Sequence, residues 1–225
     1  MITADTGTNL TIRRTAVSGG QTGIRVDSGS HITVVDSDIT GKIGTGIHIG
    51  QMGVASLQGC AIAVARGIGI NVRATGRCEG ERCSINIANG LWVRGDAGAR
   101  VELSRCSLSG ERVGIHIGRY ASGIMSDCSI LADREISLIA DPHGALSLQR
   151  SALQEGTGSR ATIKRQGNVV TAPQSRLRCV PTNVQPTCGK TGFSNIPHTL
   201  KAFAPPPTRW SSAVPGETPE YWLNR

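Results

Sequence analysis

Every twenty-second or twenty-third residue, the chain returns to one local pattern: a small residue, one intervening position, then an aliphatic. The rows read "RTAV", "DSDI", "GCAI", "RCSI", "RCSL", "DCSI" and "RSAL". Their small residues are Thr15, Ser37, Cys60, Cys83, Cys106, Cys128 and Ser151, separated by steps of 22, 23, 23, 23, 22 and 23. The aliphatics that follow are Val17, Ile39, Ile62, Ile85, Leu108, Ile130 and Leu153. Three positions before the small residue lie Ile12, Val34, Leu57, Gly80, Leu103, Met125 and Leu148; five before lie Leu10, Ile32, Ala55, Cys78, Val101, Gly123 and Leu146. Each repeat closes on an alternating apolar pair: Ile24/Val26, Ile47/Ile49, Ile70/Val72, Leu91/Val93, Ile115/Ile117 and Leu138/Ala140. Alternation of apolar and polar positions is the period of a strand. Polar pairs such as Ser104-Arg105 and Ser126-Asp127 stand where the chain would bend.

One repeat therefore predicts three short strands and three bends, and successive repeats stack in parallel about 4.8 Å apart. The predicted fold class is all-β, a three-faced parallel β-helix of about seven turns, spanning residues 1–170. A left-handed hexapeptide helix would need a period of six, and leucine-rich repeats their own Leu spacing; neither is present. The row pattern resembles the right-handed β-helix superfamily of pectin-lyase-like proteins over roughly residues 8–170. That resemblance implies a right-handed solenoid and leaves the reaction open.

In this register five of the seven cysteines become core residues. Cys60, Cys83, Cys106 and Cys128 form one inward ladder and Cys78 sits in the neighbouring column, where a thiol acts as a small apolar group. A flat stack does not supply the torsion of about 90° that a disulfide wants, so these are expected to be free thiols. Cys179 and Cys188 lie beyond the repeats, and a local disulfide there is left open. No spacing suits zinc, and no cofactor motif occurs. Composition shifts at residues 171–225, which hold nine of the ten prolines. An irregular tail is expected there, with Phe193, Phe203, Trp210, Tyr221 and Trp222 as anchors. At the front, counting back 23 from Ile24 lands on Met1, inside a strand of a preceding turn. A missing N-terminal segment or a homo-oligomer is therefore expected to cover that open end. No run of 18 apolar residues could cross a membrane as a helix, and the first residues lack a secretion signal. As part of a longer secreted protein the domain would be extracellular or cell-surface.

Because core columns are packing, chemistry is expected on the outward ones. The outward column of the third strand reads Arg25, His48, Asn71, Trp92, His116 and Ile139; beyond it come Asp27, Gly50, Arg73, Arg94, Gly118 and Asp141. The pentapeptide "GIHIG" at 46–50 and 114–118 thus pairs two buried Ile with one outward His, twice, three turns apart. At about 14 Å the two histidines share no metal. The formal charge of +8 is carried mostly by Arg, whose planar fork suits carboxylate and sulfate. On this reading His48, Asn71, Arg73, Trp92 and Arg94 bind an acidic polysaccharide, with Trp92 presenting a flat ring to a sugar face. Nucleic acid is not expected, since the basic residues are dispersed and no binding motif appears.

"DPH" at 141–143 resembles the Asp-Pro-His core of mannuronan C5-epimerases, which share this fold and abstract a proton beside a uronate carboxylate. The resemblance implies acid/base roles for Asp141 and His143, with His116 nearby. The match departs from the family at Leu138, Ile139 and Gly144, where Tyr, Gly and an acid are expected. A second carboxylate pair, Glu79 and Glu102, shares an outward column on adjacent turns and reads as surface ion pairs. The alternative to a polysaccharide-active protein is a non-enzymatic β-helix, such as an adhesin passenger or phage tail segment.

Overall fold

The computed structural model describes residues 1–155, 162–166, 168–171 and 177–178. Cys179 and Cys188, whose pairing was left open, and the five aromatic anchors expected in the tail fall outside the described residues. The described chain is a parallel β-solenoid of about seven turns, with no helix. Every strand pairs in parallel with its counterpart one turn away, at the register that the 22–23-residue period demands. Two sheets result. An eight-stranded sheet stacks five-residue strands such as Arg77–Glu81 and Arg100–Ser104. An eleven-stranded sheet stacks segments such as Asp38–Ile49, Ala61–Val72 and Ser84–Gly95. Each of these twelve-residue segments holds two of the three predicted strands, running through the corner between them without losing the ladder.

That corner turns on glycine. Gly44, Gly67 and Gly90 stack with φ of +129°, +134° and +141°, and a Cβ on any of them would overlap a carbonyl of the turn below. Only glycine combines that φ with so close a backbone approach. A second corner is a stack of tight turns in which the fourth N–H donates to the first carbonyl, as in Ser30 to Asp27 (3.1 Å), Ala99 to Asp96 (3.0 Å) and Gly144 to Asp141 (2.8 Å). The third position of each is left-handed: Gly29, Met52, Thr75, Gly98, Tyr120 and His143.

The third corner carries the ladder of small residues, each preceded by one left-handed residue: Arg14, Asp36, Gly59, Arg82, Arg105, Asp127 and Arg150. Such residues outside glycine cost about 1–2 kcal/mol each, which the stacked ladder must offset. The ladder side chains satisfy backbone groups at this corner. Thr15 N–H donates to Ser37 Oγ (3.1 Å), Cys83 N–H to Cys106 Sγ (3.4 Å) and Cys128 N–H to Ser151 Oγ (3.1 Å). The thiol of Cys106 donates in turn to Ser104 O (3.2 Å), and the Ser151 hydroxyl to Gln149 O (3.0 Å). A small residue with one donor and one acceptor is what the position requires, so Ser and Cys interchange there. All five described cysteines are free and buried. The Cys83 and Cys106 thiols are pushed up to about 11, each chiefly by the hydrogen bond to the next thiol of the ladder.

One turn departs from the expected register. Trp92 is 0% exposed and its indole N–H donates to Ser109 O at 2.8 Å, so it does not present a ring to solvent. Val93, Arg94 and Gly95 pair with Ile70, Asn71 and Val72 below, which places Trp92 in the column of Gly23, Gly46, Gly69 and Gly114. The inward pair of this turn is thus Val93/Gly95 and not Leu91/Val93. At Gly23, Gly46 and Gly69 a Cβ would meet a γ2 carbon of the isoleucine one turn above (Ile39, Ile62 or Ile85) at 2.5–2.8 Å, and at Gly114 it would meet Ser137 O at 2.5 Å. Above Trp92 the corresponding residue is Leu108, which has no γ2 methyl, and Gly110 replaces the bulk of Ile87. Together these two changes make room for an indole inside the solenoid.

Candidate functional site

With the register corrected, the outward column of the third strand reads Arg25, His48, Asn71, Arg94, His116 and Ile139. The turn residues two positions on become Asp27, Gly50, Arg73, Asp96, Gly118 and Asp141. Arg94 therefore occupies the place expected for Trp92, and Asp96 the place expected for Arg94. Trp92 leaves the set of surface candidates, since a buried ring touches no ligand. His48, Asn71, Arg73, Arg94, His116 and Asp141 remain on one face.

The arginines on this face are oriented by aspartates. Arg25 Nε donates to Asp27 Oδ1 at 2.7 Å and Arg94 Nε to Asp96 Oδ1 at 3.1 Å, while Arg73 Nε forms an ion pair with Asp96 Oδ2 at 3.1 Å. All three guanidiniums are about half exposed, and each uses Nε for the ion pair. Their terminal NH2 groups stay available for a planar anion. The aspartates were not singled out from the sequence. The i, i+2 spacing of "RVD" and "RGD" on one strand face is the signal that would have found them.

His116 and Asp141 meet: Nε2 and Oδ1 are 3.1 Å apart, with the imidazole about one-third exposed. His143, two residues on from Asp141, does not join that contact. It occupies the left-handed position of its turn and stacks on Tyr120, with ring centroids 5.0 Å apart and planes within 4°. The "DPH" segment is thus one of the stacked tight turns. Its aromatic neighbour comes from the turn below, where the sequence contains no hint of it except the period. His48 and Asn71 form the other contact, Asn71 Nδ2 donating to His48 Nδ1 at 3.2 Å. Burial, then Arg25 and Arg73, hold His48 below its ordinary value, opposed by Asp27 and Asp96.

The acidic pair on the short-stranded sheet has a structural explanation. Glu79 and Glu102 are register partners, and Arg77 contacts both, lying 3.9 Å from Glu102; Arg100 adds a contact to Glu102 at 3.8 Å. These arginines come from two residues before each Glu. A hollow of about 630 Å³ lies on a different segment and is floored by Ala63, Ala65 and Ala88. Lys42 is its one charged lining residue, so it offers little chemistry. Among the described residues no three His, Cys, Asp or Glu side chains converge where a metal ion could sit, and no helix is long and apolar enough to cross a membrane.

Comparison with known proteins adds to the fold and not to the chemistry. No curated protein and no solved structure matches the chain. The family described as "Right handed beta helix region" matches residues 1–127 and, in an overlapping second match, residues 45–169. Since those matches cover most of the chain and the parallel solenoid bears them out, the protein belongs to the right-handed β-helix family.

Proposed function

We propose that the Arg25–Asp141 face binds an acidic polysaccharide lying along the stacked turns. The observation that carries this reading is the set of three guanidiniums held by aspartates through Nε, with their NH2 groups free. Pre-oriented forks lose little side-chain entropy on meeting a carboxylate or sulfate. At the upper end of the same face stands the His116–Asp141 pair, beside the Tyr120–His143 stack. An imidazole oriented by a carboxylate is suited to taking or giving a proton next to a bound uronate, in lyase or epimerase chemistry. In that chemistry Asp141 orients His116, while His143 and Tyr120 flank the sugar.

The test uses polygalacturonate and alginate. Binding is read by calorimetry, and chemistry by the appearance of unsaturated chain ends or a changed epimer ratio. The Arg25→Ala/Arg94→Ala double variant is expected to lose binding while staying folded. Asp141→Asn is expected to keep binding and lose turnover. Absence of binding to both polymers, or binding indifferent to the double variant, overturns the reading. A second reading, a non-enzymatic adhesive or tail-type solenoid, is favoured by the left-handed corner residues repeating through every turn, which gives length and rigidity. It predicts binding with no turnover by the wild-type chain.

A further inference from the structure

The two "GIHIG" segments place identical histidines in different company, and the difference lies one turn above each. Above His116 are Ile139 and Asp141; above His48 are Asn71 and Arg73. His116 directs Nε2 at a carboxylate. His48 instead accepts from Asn71 Nδ2 through Nδ1, and Asn71 is 9% exposed, with its Oδ1 buried and unpartnered. A neutral imidazole whose Nδ1 accepts carries its proton on Nε2. The ring therefore offers one outward N–H donor without needing a positive charge.

Beside it is a cleft of about 330 Å³ lined by Arg25, Asp27, His48, Gly50, Gln51 and Arg73 among others. Gly50 leaves the middle of the cleft without a side chain. It is glycine because the turn below comes close: a Cβ there would lie 2.9 Å from Val26 O and 3.0 Å from Ser28 N. Arg25 and Arg73 flank the opening from the turns below and above. Asp27 holds Arg25, while Asp96 holds both Arg73 and Arg94. Three guanidiniums thus share two carboxylates, and the surroundings keep one uncompensated positive charge.

We propose that this cleft is an oxyanion subsite. It holds a single carboxylate or sulfate group between the free NH2 groups of Arg25 and Arg73, with neutral His48 donating from Nε2 and Asn71 fixing the ring. This rests on the reading of the face as a polyanion-binding surface, and it names the group recognised and the turn that recognises it. The equivalent place by His116, where Asp141 stands instead of Arg73, is set for proton transfer and not for anion capture.

The experiment titrates the full chain with D-galacturonate and, separately, inorganic sulfate. It follows the His48 ring nitrogens by NMR and affinity by calorimetry, then repeats the affinity measurement with polygalacturonate. Either small anion is expected to shift the His48 Nε2–H signal, and the stronger of the two identifies the group. Arg73→Gln is expected to weaken binding about tenfold or more, the loss of a charge-assisted hydrogen bond. His48→Gln, which keeps an N–H donor, should bind within about threefold of wild type, whereas His48→Leu should lose about tenfold. Affinity should be flat from pH 7 to 8; the charged groups that face the ring are Arg25, Arg73, Asp27 and Asp96. A steady fall over that range would mean an imidazolium is needed and overturns the neutral donor. Polymer binding that ignores Arg73→Gln and His48→Leu overturns the subsite and leaves the surface reading standing. Small-anion binding lost in those variants, without any polymer binding, supports the subsite and overturns the surface reading.

Discussion

Trp92 gives the sharpest test of the register. As a surface ring it would be dispensable for folding; as a core ring it is among the largest buried side chains of the solenoid. Replacing a buried Trp by Ala costs about 3–5 kcal/mol in lost transfer and cavity energy. In a chain of this size each kcal/mol lowers the midpoint by about 2–4 °C, so Trp92→Ala should drop it by roughly 10 °C. Trp92→Phe keeps a ring but leaves Ser109 O without the indole donor (2.8 Å in the native protein) and should cost about 1–2 kcal/mol. Trp92→Gly restores the residue found at Gly23, Gly46, Gly69 and Gly114. It should nonetheless be at least as damaging as alanine, because Leu108 and Gly110 have already ceded the space. Thermal unfolding by circular dichroism measures all three. Equal stability of wild type and Trp92→Ala, or a gain for Trp92→Gly, would show that the ring lies outside and would return Arg94 to the turn column.

The ladder, the glycines and His48 each carry a further expectation. Cys106→Ser should change stability by less than about 1 kcal/mol, whereas Cys106→Ala should cost about 2–3 kcal/mol by orphaning the Cys83 N–H and emptying the sulfur's volume; urea unfolding separates them, and equal costs would refute the hydrogen-bonding role. Gly67→Ala, with φ +134° and the Gly44 carbonyl in the way, should cost about 4 kcal/mol or more, while Gly95→Ala should gain about 0.5–1 kcal/mol, since its Cβ would rest 3.4 Å from Ala99 Cβ at an ordinary φ. His48 should titrate below 6.5 by NMR, because burial and two arginines disfavour its charged form. The unfolded chain then takes the proton first as pH falls through 6.5, so stability declines from there downward and is unaffected above. His48→Gln should flatten that decline, and a midpoint above 6.5 would contradict the surroundings described.

What could be read from the sequence and what could not divide along a physical line. The period and core columns were legible because an inward position admits few residue types: Ile39, Ile62 and Ile85 face the same packing demand on successive turns. The same redundancy located the free thiols. It failed at the turn of Ser84–Gly95, where Leu91 and Val93 continue the alternation and Gly95 interrupts it. Counting ten residues from Cys83, as Ile47 follows Ser37 and Ile70 follows Cys60, would have given Val93; the loss of the γ2 methyl at Leu108 was a second, subtler sign. Local sequence also hides the left-handed corners. Arg14, Arg82, Arg105 and Arg150 occupy φ of 47–53° with no glycine to announce it, since the requirement is set by the turn above and below rather than by the residue. For the same reason the setting of "DPH" was hidden: it is a stacked turn whose aromatic partner, Tyr120, is 23 residues away. In a solenoid, then, neighbours one turn away constrain a residue more than neighbours in sequence, and a candidate site is better sought down a column than along a row. Read that way, "GIHIG" is one scaffold used twice, and its chemistry is decided by whether the turn above supplies Arg73 or Asp141.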